Sequence, residues 1–277
     1  MIPEAFLTDW GPKTPWPLPI QIEQDLILSR LVVEIANHPL LGDEFVFRGG
    51  TCLHKLHLPV AQRYSDDLDY VRRTKSPIGP YLDALRNVAE NMGLATGRRE
   101  SSGQMVHIHF GADASRDQGR ITVRVETNIS ETEPYMEHVS LPYRVVSPWW
   151  SGSAEVLTFS IEELMSTKLR ALYQRRKGRD LFDLWYVLTT LDPNLSQVVN
   201  GLHHYMTDQT FSYRAFADNL ADKIKQRGFR SDLEGLVMQV PKDYSVDAAA
   251  DLVMDRVGVR LKGAPGFDEL AGGRWRQ

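Results

Sequence analysis

The sequence predicts an α+β fold in which a mixed first part is followed by a helical second part. Up to Phe159, short runs of alternating apolar and polar residues, typical of strands, lie among helical patterns. Beyond Phe159 the apolar residues recur only at helical spacing, over about 161–175, 180–191, 195–206, 213–226 and 246–256. Mixed elements followed by helices alone are typical of an α+β half joined to a helical half. We therefore expect a core with an N-terminal arm and helix over 1–159 and a helical region over 160–277.

The first part is predicted to begin with an arm and to continue with alternating helices and strands. The first 19 residues are rich in proline and show little periodicity, which predicts an extended arm on the surface. The elements that follow are a helix over 20–36, a strand over 45–47, a helix over 51–58, a strand over 64–71, a helix over 80–93, and a hairpin of strands near 104–110 and 121–129. No internal repeat is present.

Composition and charge restrict the class of protein. The chain has 277 residues, of which 42% are hydrophobic, so it is long enough to bury a sizeable core. A single cysteine, Cys52, excludes a disulfide within the chain and favours a reducing compartment. Neither a signal-peptide pattern nor an apolar run of about 20 residues is present, so we expect a soluble cytoplasmic protein with no membrane contact. The net charge of −4 excludes a globally basic nucleic-acid surface but leaves room for a local basic patch.

Two glycines after a strand predict a turn that could bind phosphate. The strand Phe45–Phe47 runs directly into Gly49 and Gly50, and a helix is expected to start at Thr51. Glycines let the backbone approach a ligand closely, and the first N–H groups of a helix attract anions. A phosphate, with the Thr51 hydroxyl as a further donor, is one interpretation. A tight strand-to-helix turn without a ligand is the other.

Three carboxylates are candidate metal ligands. Asp67 and Asp69 lie two apart in a predicted strand, so both side chains point to the same face. Close carboxylates repel each other and favour a cation, and such hard oxygen ligands suit Mg²⁺. Glu126 lies with Arg124 on the polar face of a later strand. If that face meets Asp67 and Asp69, the three carboxylates could bind two metal ions about 3.5–4 Å apart. The alternative is that Glu126 faces solvent. An Asp-x-Asp pair alone is a weak signal, but one that follows a phosphate-binding turn is stronger.

Lys168 is predicted to point inward from a helix. Ser160 and Glu163 form a capping box that fixes where the helix begins. Lys168 then lies midway between Leu164 and Leu172 in the apolar stripe. A lysine directed at the core is costly unless it meets an anion, although its long chain can also reach outward to solvent. A nucleotide phosphate is the preferred partner, and methionine in its place is expected to preserve stability while it removes activity.

A basic cluster surrounds the start of the following helix. Between Lys168 and Arg179 the chain has six basic and no acidic residues: Lys168, Arg170, Arg175, Arg176, Lys177 and Arg179. Their ordinary role is a solvated helix face, but Arg175, Arg176, Lys177 and Arg179 are also the candidates to bind an acceptor RNA. Asp180 follows at a helix N-terminus, where a carboxylate is favourable for structural reasons alone.

Five segments in order resemble one known family. They are Ile22–Asp25, Phe47–Thr51, Arg63–Asp69, Lys168–Leu172 and Arg179–Asp183. Together they are similar to the motifs of the AbiEii/AbiGii nucleotidyltransferases, toxins of type IV toxin–antitoxin and abortive-infection systems that include the MenT toxins. Gln24 and Arg48 stand where the family usually has lysine. The resemblance covers roughly residues 20–190, and the motifs in combination are specific.

The resemblance implies a polymerase-β-like nucleotidyltransferase fold with a helical C-terminal region that contributes Lys168 and Asp180 to the site. It also implies catalytic roles for Asp67, Asp69, Lys168 and Asp180, with magnesium (or manganese) bound by Asp67 and Asp69. Glu126, the candidate third ligand, is suggested by the strand pattern and not by the resemblance. The implied nucleotide-binding residues are Arg48, Gly49, Gly50, Thr51, Ser65 and Lys168.

By the same resemblance, the chain transfers a nucleoside monophosphate from an NTP to an acceptor. By analogy with the family, the expected acceptor is a tRNA 3′ end, and its modification would block translation. A cognate antitoxin is expected to be encoded nearby. Two alternatives stay open at this stage. One is a nucleotidyltransferase that modifies a protein or a small molecule, and the other is a non-catalytic protein that binds nucleotides or RNA.

Overall fold

The computed structural model describes residues 2–14, 16–115, 119–206 and 211–262. The chain divides into two compact units, one reaching Phe159 and the other beginning at Ser160. The short segment Leu236–Met238 belongs to the first unit, where the carbonyl of Leu236 accepts a hydrogen bond of 2.7 Å from the backbone N–H of Tyr64. Among the described residues, every helix is too short or too polar to cross a membrane.

The first unit is built on one seven-stranded mixed sheet. Its strands are β1 (Phe45–Arg48), β2 (Asp67–Arg72), β3 (Ala95–Ser102), β4 (Met105–Asp113), β5 (Arg120–Asn128), β6 (Val139–Val146) and β7 (Ser151–Thr158). They lie in the order β3-β4-β5-β2-β1-β7-β6. β2 runs antiparallel to β1 and parallel to β5, so Asp69 lies between Arg48 on one side and Glu126 on the other. The candidate metal ligands Asp67, Asp69 and Glu126 therefore lie on neighbouring strands near the centre of the sheet.

The helices of the first unit include the longest of those described. They are α1 (Glu4–Trp10), α2 (Pro19–Asn37), α3 (Gly49–Cys52, continued by a π-helical turn over Leu53–His57) and α4 (Gly79–Asn91). α2 buries apolar residues around most of its circumference and packs chiefly against β7. Because both the sheet and neighbouring helices cover it, its sequence needs no clear polar face.

The regular secondary structure described in the second unit is all helical. Its helices are α5 (Ile161–Gln174), α6 (Gly178–Thr190), α7 (Leu195–Tyr205), α8 (Tyr213–Lys223), α9 (Arg227–Arg230), α10 (Val246–Val253, followed by a π-helical turn over Met254–Gly258) and α11 (Val259–Lys262). Ser160 caps α5, its hydroxyl accepting a 3.2 Å hydrogen bond from the N–H of Glu163. The α+β class and the five long helices expected beyond Phe159 are confirmed.

Several elements of the first unit differ from the sequence-based expectation. The arm contains the helix α1, because its prolines lie outside the stretch Glu4–Trp10. β3 shows no alternation of apolar and polar residues because all eight of its residues are exposed. β6 and β7 were not predicted either: β6 contains Pro142, and β7 carries small and polar residues over its first half. A Pro is tolerated in β6 because this strand forms the edge of the sheet.

Candidate functional site

Three carboxylates of the first unit converge on one point. Asp67 and Asp69 project from the same face of β2, and the parallel pairing with β5 places Glu126 beside Asp69. One oxygen from each of the three side chains lies within 4.8 Å of the other two. Of the two alternatives for Glu126, the structure therefore supports convergence with the aspartates. The cluster offers the hard oxygen ligands that a divalent cation such as Mg²⁺ prefers.

Arg124 bridges two of these carboxylates. Its Nη2 lies 2.8 Å from Asp67 Oδ2 and 2.8 Å from Glu126 Oε1. Burial opposes the charge on Arg124, but the neighbouring Glu126 and Asp67 outweigh it and raise the pKa of the guanidinium above its usual value. His107 lies on the far side of Glu126, with its Nδ1 3.4 Å from Glu126 Oε1. Three carboxylates and one guanidinium leave an excess of negative charge, so the residues present fit a bound divalent cation.

Replacing Arg124 with glutamine is expected to tighten metal binding. The guanidinium already neutralises the carboxylates that a metal ion must contact, so an entering ion competes with it. A half-exposed ion pair of this kind contributes about 1 kcal/mol, which corresponds to an increase in Mn²⁺ affinity of roughly fivefold. Calorimetric titration of Mn²⁺ into the protein without nucleotide measures the change. Arg98→Gln on the exposed strand β3 is the matched control, and an unchanged or weaker affinity in Arg124→Gln contradicts the competition.

The two glycines are required by side chains of the protein itself. Gly49 has a φ of +83°, and a Cβ there would lie 2.0 Å from Asp69 Oδ2. A Cβ on Gly50 would lie 2.5 Å from the Nη2 of Arg63 and 3.0 Å from Ser65 Oγ. The turn after β1 therefore lets Asp69 of β2 and the Arg63 guanidinium approach the backbone closely. Both interpretations offered by the sequence, a phosphate-binding turn and a tight turn without a ligand, remain compatible with these contacts, but the sequence did not indicate the approach of Asp69 and Arg63.

The other predicted nucleotide-binding residues of the first unit also have partners in the protein. The Thr51 hydroxyl donates a 2.6 Å hydrogen bond to the Asp67 carbonyl, so it holds α3 against the start of β2. Arg48 forms an ion pair of 3.1 Å with Glu131. A hydroxyl has a single proton to donate, so in this structure Thr51 does not supply the extra phosphate donor expected from the sequence. Ser65 lies next to Gly50.

A second cluster of charged residues lies in the second unit. The Lys168 side chain is 11% exposed, and its Nζ lies 2.9 Å from Asp183 Oδ2 and 3.4 Å from Asp180 Oδ1. Both carboxylates are fully buried. The anion that an inward-pointing Lys168 requires is supplied here by two aspartates, in place of the nucleotide phosphate predicted from the sequence. Asp183 lies one helical turn after Asp180, a spacing that could have identified it.

Two of the four predicted RNA-binding residues hold buried aspartates. Arg175 donates to both oxygens of Asp180, through Nε at 2.6 Å and Nη2 at 2.7 Å. Arg179 binds Asp232 in the same two-pronged way, at 2.9 and 3.0 Å. Burial favours the neutral acid, but these bonds and the charge of Lys177 lower the pKa of Asp232 below its usual value. The positions of Arg175 and Arg179 are therefore fixed by ion pairs within the unit.

The other two members of the basic cluster, Arg176 and Lys177, are exposed to solvent, as Arg175 also is. Lys177 lies 3.8 Å from Asp232, and its side chain is about half exposed. Arg176 is exposed at the end of α5. These two side chains extend from the surface and are the part of the cluster best placed to contact a charged partner.

Comparisons with known proteins give one family and one fold. The profile of the family described as "Nucleotidyl transferase AbiEii toxin, Type IV TA system" matches residues 30–256. Among solved structures, MenT4, a nucleotidyltransferase toxin from Mycobacterium tuberculosis H37Rv, is similar with a TM-score of 0.60 and 16% identity, over 94% of this chain and 89% of that chain. JHP933 from Helicobacter pylori is similar with a TM-score of 0.51 and 18% identity, over 90% of this chain and 94% of that chain. A search of curated proteins gives no match.

Proposed function

Because the chain belongs to the AbiEii family of nucleotidyl transferase toxins of type IV toxin–antitoxin systems, we propose that it uses Mg²⁺ to transfer a nucleoside monophosphate from an NTP to a tRNA 3′ end. The enzyme class, nucleotidyltransferase, follows from the family and from the fold it shares with MenT4. The metal, the acceptor, the resulting block on translation and the cytoplasmic location are the proposal. An antitoxin is the partner that such a toxin–antitoxin family implies.

The observation that carries the proposal is the convergence of Asp67, Asp69 and Glu126. These three side chains would hold the metal, with Mn²⁺ as the alternative to Mg²⁺. When bound, the metal neutralises the phosphate charge that develops during transfer. Without a cation, a triphosphate would face three negative charges, which is why this cluster requires one to bind its substrate.

The remaining residues would bind and orient the nucleotide. The backbone N–H groups at Gly49 and Gly50 begin α3 and are suited to phosphate oxygens, with Ser65 beside them. A hydroxyl oxygen of the acceptor attacks the α-phosphorus, a new P–O bond forms, and pyrophosphate departs as the α–β bond breaks. Lys168 would stabilise the phosphate charge, and Asp180 would fix its position or assist the acceptor. The acceptor hydroxyl releases its proton to solvent water as the new bond forms.

A labelling experiment tests the proposal. The protein is incubated with Mg²⁺ and each of the four α-³²P-labelled NTPs in separate reactions with purified tRNA, total cell protein or a metabolite extract. Label at the tRNA 3′ end with release of pyrophosphate is the expected result. Label in protein or in a small molecule would contradict tRNA as the acceptor but would support nucleotidyl transfer as the reaction. Nucleotide binding without any transfer overturns the assignment of activity to this chain.

Arg176 and Lys177 provide a prediction about the acceptor. Arg176→Ala/Lys177→Ala is expected to weaken tRNA binding about tenfold, because each cation neutralises one phosphate, and to flatten the dependence of affinity on salt. NTP affinity and thermal stability should not change. Fluorescence anisotropy with labelled tRNA at several salt concentrations measures both effects.

The control for this prediction keeps the buried ion pairs intact. Arg175 is left in place because its removal would take two hydrogen bonds from the buried Asp180. A fall in activity could then result from lost stability instead of lost RNA binding. Lys225→Ala/Arg214→Ala, which removes two exposed cations from elsewhere in the second unit, is the matched control. Equal tRNA affinity in the two double variants and the parent would place the RNA elsewhere.

A further inference from the structure

A cavity of about 440 Å³ lies in the first unit on one side of α3. Its walls come from the segment after α1, from α2, from α3 and its π-helical turn, from the loop before β2, and from β6. Thr51 and Ser65 are part of its lining, whereas the three carboxylates of the metal cluster are not. Its volume falls within the range of small-molecule sites, which is roughly 300–1,000 Å³.

The lining of this cavity carries excess positive charge. Lys13 and Arg144 are exposed at its rim, and the buried Arg63 lies in its wall. Asp25 is the one acidic side chain among its described lining residues, and it is neutralised by Lys55, whose Nζ lies 2.9 Å from Asp25 Oδ1. The cavity is therefore suited to an anion.

Aromatic rings stand next to the cations. Trp10, Trp16 and Tyr143 line the cavity, and the Nζ of Lys13 lies 4.8 Å from the centroid of the Trp10 ring. Trp10 is fixed in place by a 3.0 Å hydrogen bond from its Nε1 to Asp25 Oδ2. Cations that follow a phosphate backbone, together with aromatic rings on which a base can stack, are what proteins use to hold single-stranded nucleic acids.

The charge pattern separates this cavity from a site for a nucleoside triphosphate. A triphosphate brings several negative charges and a metal ion, which needs carboxylates that are available to coordinate it. The one carboxylate in the described lining, Asp25, is already paired with Lys55 and Trp10. A single phosphodiester, with one negative charge and no metal, matches the two rim cations better.

The cavity nevertheless adjoins the metal cluster. Thr51 lines the cavity, and its hydroxyl donates a hydrogen bond to the backbone carbonyl of Asp67, one of the candidate metal ligands. We infer that this cavity binds the terminal nucleotide of a single-stranded RNA acceptor, with its phosphodiester against Lys13 and Arg144 and its base among the aromatic rings. The inference rests on the proposed function and names the position of its acceptor.

The test measures binding of an RNA probe and of the NTP separately. The probe is a 5′-fluorescein-labelled ribotetranucleotide with a free 3′ hydroxyl, followed by fluorescence anisotropy, and NTP binding is followed by calorimetry with Mg²⁺. Lys13→Glu/Arg144→Glu is expected to weaken probe binding at least tenfold and to flatten its salt dependence, since about 0.7 counterions are released per phosphate of a single strand. NTP affinity should stay within twofold of the parent value.

The controls separate this inference from the proposed function. Lys75→Glu/Arg98→Glu reverses two exposed charges elsewhere in the first unit and should bind the probe as the parent does. Thermal melting confirms that both double variants fold, and the single variant Arg144→Glu repeats the test with one change at an exposed residue. Probe binding that is absent in the parent, or equal in parent and cavity variant, overturns the inference. A parallel loss of NTP affinity assigns the cavity to the donor nucleotide and overturns it as well.

The outcome for the proposed function is read from the parent protein alone. A parent that transfers labelled nucleotide to tRNA, beside a cavity variant with normal probe binding, overturns only the cavity inference. A parent that binds the tetranucleotide but transfers nothing overturns the proposed function and leaves the RNA site standing.

Discussion

Asp69→Asn is expected to abolish nucleotide transfer, with a loss of at least about 10³-fold in kcat/KM, equivalent to roughly 4 kcal/mol of transition-state stabilisation. Asp69 lies between β1 and β5, and one of its oxygens belongs to the group that converges with Asp67 and Glu126. An amide cannot replace the charge that holds a divalent cation. Mn²⁺ affinity should fall together with activity.

The same substitution should leave the first unit folded. Asparagine matches the size of aspartate, so the close packing against Gly49 is preserved. Removing one of three neighbouring negative charges also relieves repulsion, so the melting temperature without metal should hold or rise. Asp113→Asn, at the exposed end of β4, is the matched control and should match the parent in activity. Retained transfer in Asp69→Asn removes this carboxylate from the mechanism, and a large fall in melting temperature makes its role structural.

Lys168→Met is expected to lower the free energy of unfolding of the second unit by about 3–5 kcal/mol and also to eliminate transfer. The ammonium group of Lys168 compensates two carboxylates, Asp180 and Asp183, that have no exposed surface. Arg175 continues to serve Asp180 after the change. Asp183 loses the cation 2.9 Å away, and a buried charge without its partner is costly. The sequence alone had suggested that methionine would preserve stability, because it could not show these two carboxylates.

A double variant separates stability from activity. Lys168→Met/Asp183→Asn removes the cation and one buried negative charge together, so most of the lost stability should return while transfer stays absent. Urea unfolding measures the stability of both variants and of Lys225→Met, an exposed control in the same unit. Pyrophosphate release measures their transfer activity. If Lys168→Met melts as the parent does, the ion pairs contribute little. If the double variant regains transfer, Lys168 acts only by supporting the fold.

The features predicted correctly from the sequence depend on local spacing. Asp67 and Asp69 share a face because side chains alternate along a strand, whatever lies next to it. The start of α5 follows from Ser160 and Glu163, which contact each other within one turn. Neither inference needed a residue distant in the chain.

The features that could not be predicted depend on pairs brought together by the fold. The sequence left open whether Glu126 joins Asp69 or faces solvent, because the answer depends on β5 lying parallel to β2 in one register. Arg124 faces the same point, and its charge was noted without its bridging role. Arg175 was assigned to RNA because its partner Asp180 lies beyond a break between two helices.

The return of the chain at Leu236–Met238 has a consequence for how the protein is made. Tyr64, three residues before the start of β2, donates its backbone N–H to the carbonyl of Leu236. During synthesis, this acceptor leaves the ribosome only after more than 170 further residues have been added. The first unit therefore receives this segment only after residues 160–235 of the second unit have been synthesised, and a chain released early, for example after Phe159, lacks this contact.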